Sequence, residues 1–294
     1  MVGLRPLSGC GVEVDVGSQL VDALSELDSA QVREALRSWP ALLIRGQQQL
    51  RLGGLDVFAK RVLRGPVYDP REHGAELPDP EQSWSYLVTN VADRTTGRVR
   101  EGELVSGDRA KGSASNHQFH TDYCWKQQIN PVTMLLCRRF TCTHGGQTQL
   151  ADTHAALEAL PTEMRQRARG LRTKHGGVNF PAVQQPLVVR SPLSGREALL
   201  VGRHAKGLLG LNEGDSAALL DTLNTHCTRS EFVLTHLWRE GDLLLWDNTS
   251  TLHRALEGGG GIRELERCVV APFTFPPPPP RLEERNLHIG CAKL

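Results

Sequence analysis

The stretch "REGDLLLWDNTSTLHRAL", Arg239 to Leu256, sets the reading of the fold. Glu240-Gly241-Asp242 leads into four apolar residues, Leu243 to Trp246, and Asp247-Asn248 closes the run. An apolar run this short, bounded on both sides by turn residues, reads as a buried β-strand. Just beyond it the chain delivers His253.

The same texture continues in both directions. "TMLLCRRF" (133–140), "QTQLAD" (147–152), "PLVVRS" (186–191), "REALLVG" (196–202), "EFVLTHLW" (231–238) and "LERCVVAPF" (265–273) are short β-type runs separated by Gly, Pro, Asn and Asp. "RSPLSGRE" (190–197) joins two of them as a hairpin, and "REGD" (239–242) joins two more. Two helical segments sit between them, "HAALEALPTEMRQRARGL" (154–171) and "NEGDSAALLDTLNTHCTR" (212–229). Toward the N-terminus, Ser18 to Trp39 has leucines and Val32 at helical spacing and is stopped by Pro40. "ALLIRG" (41–46) then reads as a strand and "GGLDVFAKRVLRG" (53–65) as a helix. Many short strands with a few helices on one side predict a mainly β fold with flanking helices, a barrel or jelly roll. No Gly-rich phosphate loop follows a strand, so a nucleotide-binding sheet has no support.

One domain is expected over residues 1–294. Residues 67–115 are rich in Pro, Gly and charged residues, with one expected strand at "SWSYLVTNV" (83–91), and read as an active-site lid or a surface insertion. "EGGGGI" (257–262) reads as the tip of a turn. "FPPPPPR" (275–281) marks the end of the packed domain, because consecutive prolines cannot donate to a sheet ladder. A stiff Pro-rich segment from residue 276 is expected.

The bulk numbers exclude several classes. With 34 basic and 33 acidic residues the net charge is +1, which argues against a nucleic-acid or anionic-membrane binder. The seven cysteines are scattered without a CxxC, so a disulfide framework or zinc ribbon is not expected and a reducing cytoplasm is the natural setting. No apolar run is long enough for a membrane span or a signal peptide. Oligomeric state is not legible, and a homo-oligomer stays open.

Chemistry concentrates in "SNHQFHTDYCWKQQ" (115–128). On a strand, residues i and i+2 share a face, so His120 and Asp122 would present an imidazole and a carboxylate together, with His117 on the other face. His253 is the candidate third ligand. Two imidazoles and one carboxylate form the facial triad of non-haem Fe(II) oxygenases, which leaves positions open for a bidentate 2-oxo acid and dioxygen. Arg263 and Arg267 are four apart and would face the same way, roughly 13 Å apart at about 3.3 Å per residue. Arg263, beyond a glycine turn, could fold back and clamp a carboxylate. A zinc hydrolase and a non-catalytic metal-binding barrel remain alternatives at this point. The first is disfavoured because the chain has no HExxH helix.

These pieces in this order resemble the TauD/TfdA family of Fe(II)- and 2-oxoglutarate-dependent dioxygenases. The matching segments are "LLIRGQ" (42–47), "HTD" (120–122), "HGGQTQLAD" (144–152), "GDLLLWDNTSTLHRA" (241–255) and "RELERCVV" (263–270). The resemblance implies a double-stranded β-helix and the cofactor set Fe(II), 2-oxoglutarate and dioxygen. It implies that His120, Asp122 and His253 ligate iron and that Thr148 and Arg263 contact 2-oxoglutarate. Arg267 matches an arginine that holds the substrate's anionic group in taurine-oxidising members, and Asn116 a position that touches substrate there. Tyr123, next to the HxD, is a candidate pocket residue. Gln147, Cys268 and the longer "FAKRVLRGPV" (58–67) depart from the family pattern, but none removes an iron ligand. Asp122 supplies a carboxylate, so halogenation is disfavoured. The expected reaction is oxidation, by default hydroxylation, of an unactivated C–H bond in a small anionic or amino-acid-derived molecule, with release of succinate and CO2. Desaturation or cyclisation of a natural-product intermediate is the alternative outcome.

Overall fold

The computed structural model describes residues 2–73, 77, 83–93, 98–99, 105–106, 118–177 and 180–277. Asn116, His117, much of the expected lid and the Pro-rich tail past residue 277 lie outside the described residues.

Leu243–Asp247 lies inside the largest sheet. It pairs antiparallel with Ala41–Ile44 on one side and with Val132–Phe140 on the other. The full order of this eight-stranded sheet is Gly3–Pro6, Gly11–Asp15, Ala41–Ile44, Leu243–Asp247, Val132–Phe140, Arg263–Val270, Tyr86–Thr89 and Val105–Ser106. A second sheet of three strands is ordered Val233–His236, Thr148–Asp152, Thr251–Ala255. Leu150 and Leu234 of this smaller sheet pack against Leu135, Leu244, Trp246 and Leu265 of the larger one. Two β layers with a shared core and helices outside are the jelly roll that the strand pattern predicts.

The sandwich explains why "LLLW" carries no polar residue. Leu244 and Trp246 point between the sheets, while Leu243 and Leu245 point to the opposite face. There they meet Val32 and Leu36 of the helix Glu26–Ser38, together with Phe58 and Leu63. A strand covered on both faces is apolar throughout rather than alternating. Each buried leucine in it contributes about 1.5–3 kcal/mol.

Several elements differ from the sequence reading, each for a local reason. The helix expected from Ser18 starts at Glu26, because the Ser25 hydroxyl accepts from the Asp28 N–H (3.1 Å) and caps a new first turn. Val21–Ala23 before it is a 3-10 turn. The helix in 53–65 is an α turn, Gly54–Val57, that widens into a π turn over Phe58–Val62, with the Leu63 N–H donating to the Phe58 carbonyl (3.1 Å). The segment 154–171 is two helices, Thr153–Glu158 and Thr162–Arg169, because Pro161 cannot donate inside a helix. "RSPLSGRE" is a hairpin between Val188–Arg190 and Glu197–Leu199. "REGD" does not make one. It carries the chain from Val233–His236 in the small sheet to Leu243–Asp247 in the large sheet. Among the described residues, no helix is long and apolar enough to cross a membrane.

Candidate metal and 2-oxo-acid site

His120 and His253 meet across an isolated antiparallel bridge, each N–H donating to the other's carbonyl (3.0 and 2.8 Å). Their rings lie 4.2 Å apart. The strand expected to carry both His120 and Asp122 is not formed: His120 makes only this bridge, and Asp122 sits in a turn. Tyr123, at φ 56°, is left-handed, which strand geometry forbids. The turn still brings the three side chains together. Asp122 Oδ1 is 3.8 Å from His120 Nε2, and Asp122 Oδ2 is 3.3 Å from His253 Nε2. One ligand atom from each residue lies within 4.8 Å of the other two, so the group could hold a metal ion.

The protonation of His120 and Asp122 suits that purpose. His120 Nδ1 lies 2.8 Å from the Gln118 carbonyl, which can only accept, so Nδ1 carries the proton and Nε2 presents its lone pair. Burial, with His253 beside it, holds the His120 imidazole well below its ordinary pKa and keeps it neutral. Burial alone would raise the Asp122 carboxyl, but Arg267, His253 and His120 outweigh it and hold it well below the usual carboxylate range. Two imidazoles and one carboxylate are the donor set of an Fe(II) site with open positions.

Asp122 is held from all sides. The Asn248 side chain accepts from the Asp122 N–H (3.1 Å) and donates to the Asp122 carbonyl (2.8 Å). Thr133 Oγ1 donates to Asp122 Oδ2 (3.2 Å), and Arg267 Nη2 donates to the same oxygen. Asn248 is part of the "WDN" quoted above, so its place beside the site had a sequence signal. Thr133 sits in an apolar strand and had none.

A second cluster lies at the start of Thr148–Asp152. Arg263 is 2% exposed, and burial pushes its guanidinium down to about 10, still charged near neutral pH. Its Nε donates to the Gly146 carbonyl (2.9 Å) and its Nη2 to Thr148 Oγ1 (3.3 Å). Its Nη1 is buried with no partner among the described residues. A buried cationic N–H without an acceptor is costly and marks a place made for an anion. Two glycine segments bring this cluster together: Gly145 pairs with Gly258 and His144 with Gly259. A Cβ on Gly145, whose φ is 65°, would lie 1.8 Å from the Glu257 carbonyl oxygen, so no other residue fits this approach.

Arg263 and Arg267 both lie on Arg263–Val270, and the expected common face holds although the pairing with Val132–Phe140 slips by one residue between Glu264 and Leu265. Arg267 reaches Asp122 rather than standing free, and its Nε is buried without a partner among the described residues. Its guanidinium lies 5.6 Å from the Tyr86 ring and 5.8 Å from that of Tyr123. Tyr123 is buried edge-on to Tyr68 at 5.0 Å. His204, which sequence reasoning did not single out, stands edge-on to Trp125 (4.9 Å) and to His120 (5.8 Å). Burial, with Arg203 adjacent, lowers its imidazole to about 4.

Comparison with known proteins agrees with this picture. Residues 3–269 match the family described as "Taurine catabolism dioxygenase TauD, TfdA family". An alpha-ketoglutarate-dependent 2,4-dichlorophenoxyacetate dioxygenase of Cupriavidus pinatubonensis is 29% identical, over 91% of this chain and 96% of that protein. A pentalenolactone F synthase of Streptomyces arenae is 24% identical, over 95% of this chain and 98% of that protein. Among solved structures, AAD-2 in complex with Mn(II) and N-oxalylglycine superposes with a TM-score of 0.76 at 23% identity, covering 93% of this chain and 99% of that one. That likeness shows the fold.

Proposed function

The chain belongs to the TauD, TfdA dioxygenase family, and from that premise we propose the roles of its residues and the class of its substrate. It is a non-haem iron enzyme that uses Fe(II), 2-oxoglutarate and dioxygen and acts on a small molecule. We read residues 1–294 as one dioxygenase domain, with 67–115 as its lid.

His120, Asp122 and His253 are the proposed iron ligands. Arg263 and Thr148 are proposed to hold the distal carboxylate of 2-oxoglutarate. The observation that carries this reading is the pairing of the two-imidazole, one-carboxylate cluster with the unpartnered Arg263 Nη1. When bound, iron with its cosubstrates supplies the oxidising power, and 2-oxoglutarate leaves as succinate and CO2. The protein's part is placement. Gln118 fixes the His120 tautomer, Asn248 holds the Asp122 backbone and Thr133 its carboxylate, and the glycine approach seats Arg263 against Thr148.

The proposed reaction is hydroxylation of an unactivated C–H bond in a small anionic or amino-acid-derived molecule. Arg267 supports the anionic part, since its buried Nε has no partner among the described residues. Tyr123 and Asn116 are proposed as substrate neighbours. Desaturation or cyclisation uses the same residues, and the likeness to a pentalenolactone F synthase favours keeping it as the second reading.

Candidate carboxylic, sulfonic and amino acids should be screened for substrate-dependent succinate release, with products identified by mass spectrometry. An oxygenated product from an anionic compound supports the reading. Turnover confined to neutral compounds overturns the substrate class. Independently, Fe(II) and 2-oxoglutarate added without oxygen should give a weak visible charge-transfer band.

A further inference from the structure

Trp238 is 2% exposed and lies two residues beyond the strand Val233–His236, which pairs His236 with Thr148. Its indole stands edge-on to the His236 ring at 4.6 Å and 88°. His236 Nε2 in turn lies 3.1 Å from Asp242, a carboxylate 1% exposed. From this rigid mount the Trp238 Nε1–H donates to Thr148 Oγ1 at 3.1 Å.

The polarity of that bond needs no assumption about hydrogen positions, because an indole nitrogen can only donate. Arg263 Nη2, also donor-only, reaches the same oxygen at 3.3 Å. A hydroxyl oxygen has two lone pairs and one proton. Both lone pairs of Thr148 are engaged, and no described residue is hydrogen-bonded to its proton. The only use left for the hydroxyl is to donate, beside the unpartnered Arg263 Nη1.

We infer that Trp238 is a positioning residue for the cosubstrate: by donating to Thr148, its indole N–H commits the threonine hydroxyl to donate to the distal carboxylate of 2-oxoglutarate. With no donor at position 238, only Arg263 still holds the oxygen, and the hydroxyl proton gains a second orientation that must be given up whenever the cosubstrate binds. The inference rests on the proposed roles of Thr148 and Arg263, and it predicts an effect on affinity rather than on the chemical step.

The test is Trp238→Phe, which keeps an aromatic ring and loses the N–H. Binding of 2-oxoglutarate to the Fe(II) protein is read without oxygen from the charge-transfer band, alongside KM and kcat. Affinity should fall about three- to tenfold, the worth of one hydrogen bond. The Fe(II) affinity and kcat at saturating 2-oxoglutarate should stay within twofold. Thr148→Val should weaken binding at least as much, and adding Trp238→Phe to it should cost nothing further, since the two act through one hydroxyl. If Trp238→Phe does not fold, benzothienyl-alanine at position 238 keeps the indole outline and replaces the N–H by sulfur. Unchanged 2-oxoglutarate affinity, or full additivity with Thr148→Val, overturns the inference. Arg263→Met separates the two levels. If it weakens 2-oxoglutarate and Trp238→Phe does not, only the role of Trp238 falls. If neither weakens it, the proposed cosubstrate site falls as well.

Discussion

Asn248 and Asp122 are joined by two hydrogen bonds in opposite directions, the Asn248 side-chain amide meeting both the N–H and the C=O of Asp122. The residues are 126 positions apart and both fully or nearly buried. Asn248 also donates to the Asn130 carbonyl (2.9 Å), so one side chain locks the turn that carries the carboxylate. Asn248→Ala should therefore lower Fe(II) affinity roughly 10–100-fold, the usual effect of losing a ligand's support. It should also lower Tm, because two backbone groups of Asp122 lose their partners. A calorimetric Fe(II) titration equal to wild type would remove Asn248 from this role.

Loss of a proposed metal ligand should be near absolute in effect. His120→Ala is expected to abolish succinate formation and the anaerobic charge-transfer band together. In the wild-type protein a chelator should do the same, with activity restored by Fe(II) and not by Zn(II). Restoration by Zn(II) would instead revive the hydrolase chemistry.

Arg263→Ala removes a buried cation and leaves the Gly146 carbonyl and Thr148 hydroxyl without it. The KM for 2-oxoglutarate should rise at least about 30-fold, in the range found when one partner of a buried charge pair is truncated. Arg263→Lys should rescue little, since one ammonium cannot reproduce a three-way contact by a planar fork. Unchanged cosubstrate affinity in the alanine variant would sink the assignment.

Arg267 has two candidate duties, and kinetics tell them apart. If it holds the substrate's anion, Arg267→Met should raise KM at least about tenfold for an anionic substrate and leave a neutral analogue unaffected. If it serves only Asp122, both substrates should suffer alike and Fe(II) affinity should fall with them.

The sequence carried the identity of the site better than its local geometry. That His120, Asp122 and His253 come together was legible because the HxD pair is followed by a histidine at the end of an apolar strand and by the Arg263/Arg267 pair. The strand assigned to His120 and Asp122 was wrong, since nothing in "HTDY" shows that Asn248 will hold a turn there or that Tyr123 will be left-handed. The shared face of Arg263 and Arg267 was legible from strand period alone. Thr133, Trp238 and His204 were not, because each meets its partner across intervening chain, 11, 90 and 84 positions away for Asp122, Thr148 and His120. Ser25 is a capping signal present in the sequence, but the leucine spacing before it continues the helical pattern and masks it.

The glycine approach between residues 144–145 and 258–259 has a consequence for how the protein comes into being. Thr148 and Arg263 are 115 positions apart, and Asp122 and Asn248 still further, so neither half of the site exists in any local fragment of the chain. Contacts this distant in sequence form slowly, after the loops between them have closed. A nascent chain released before residue 263 has no Arg263 with which to retain 2-oxoglutarate. If Arg263 holds the cosubstrate as proposed, 2-oxoglutarate should shield from proteolysis only folded chains that extend through residue 263.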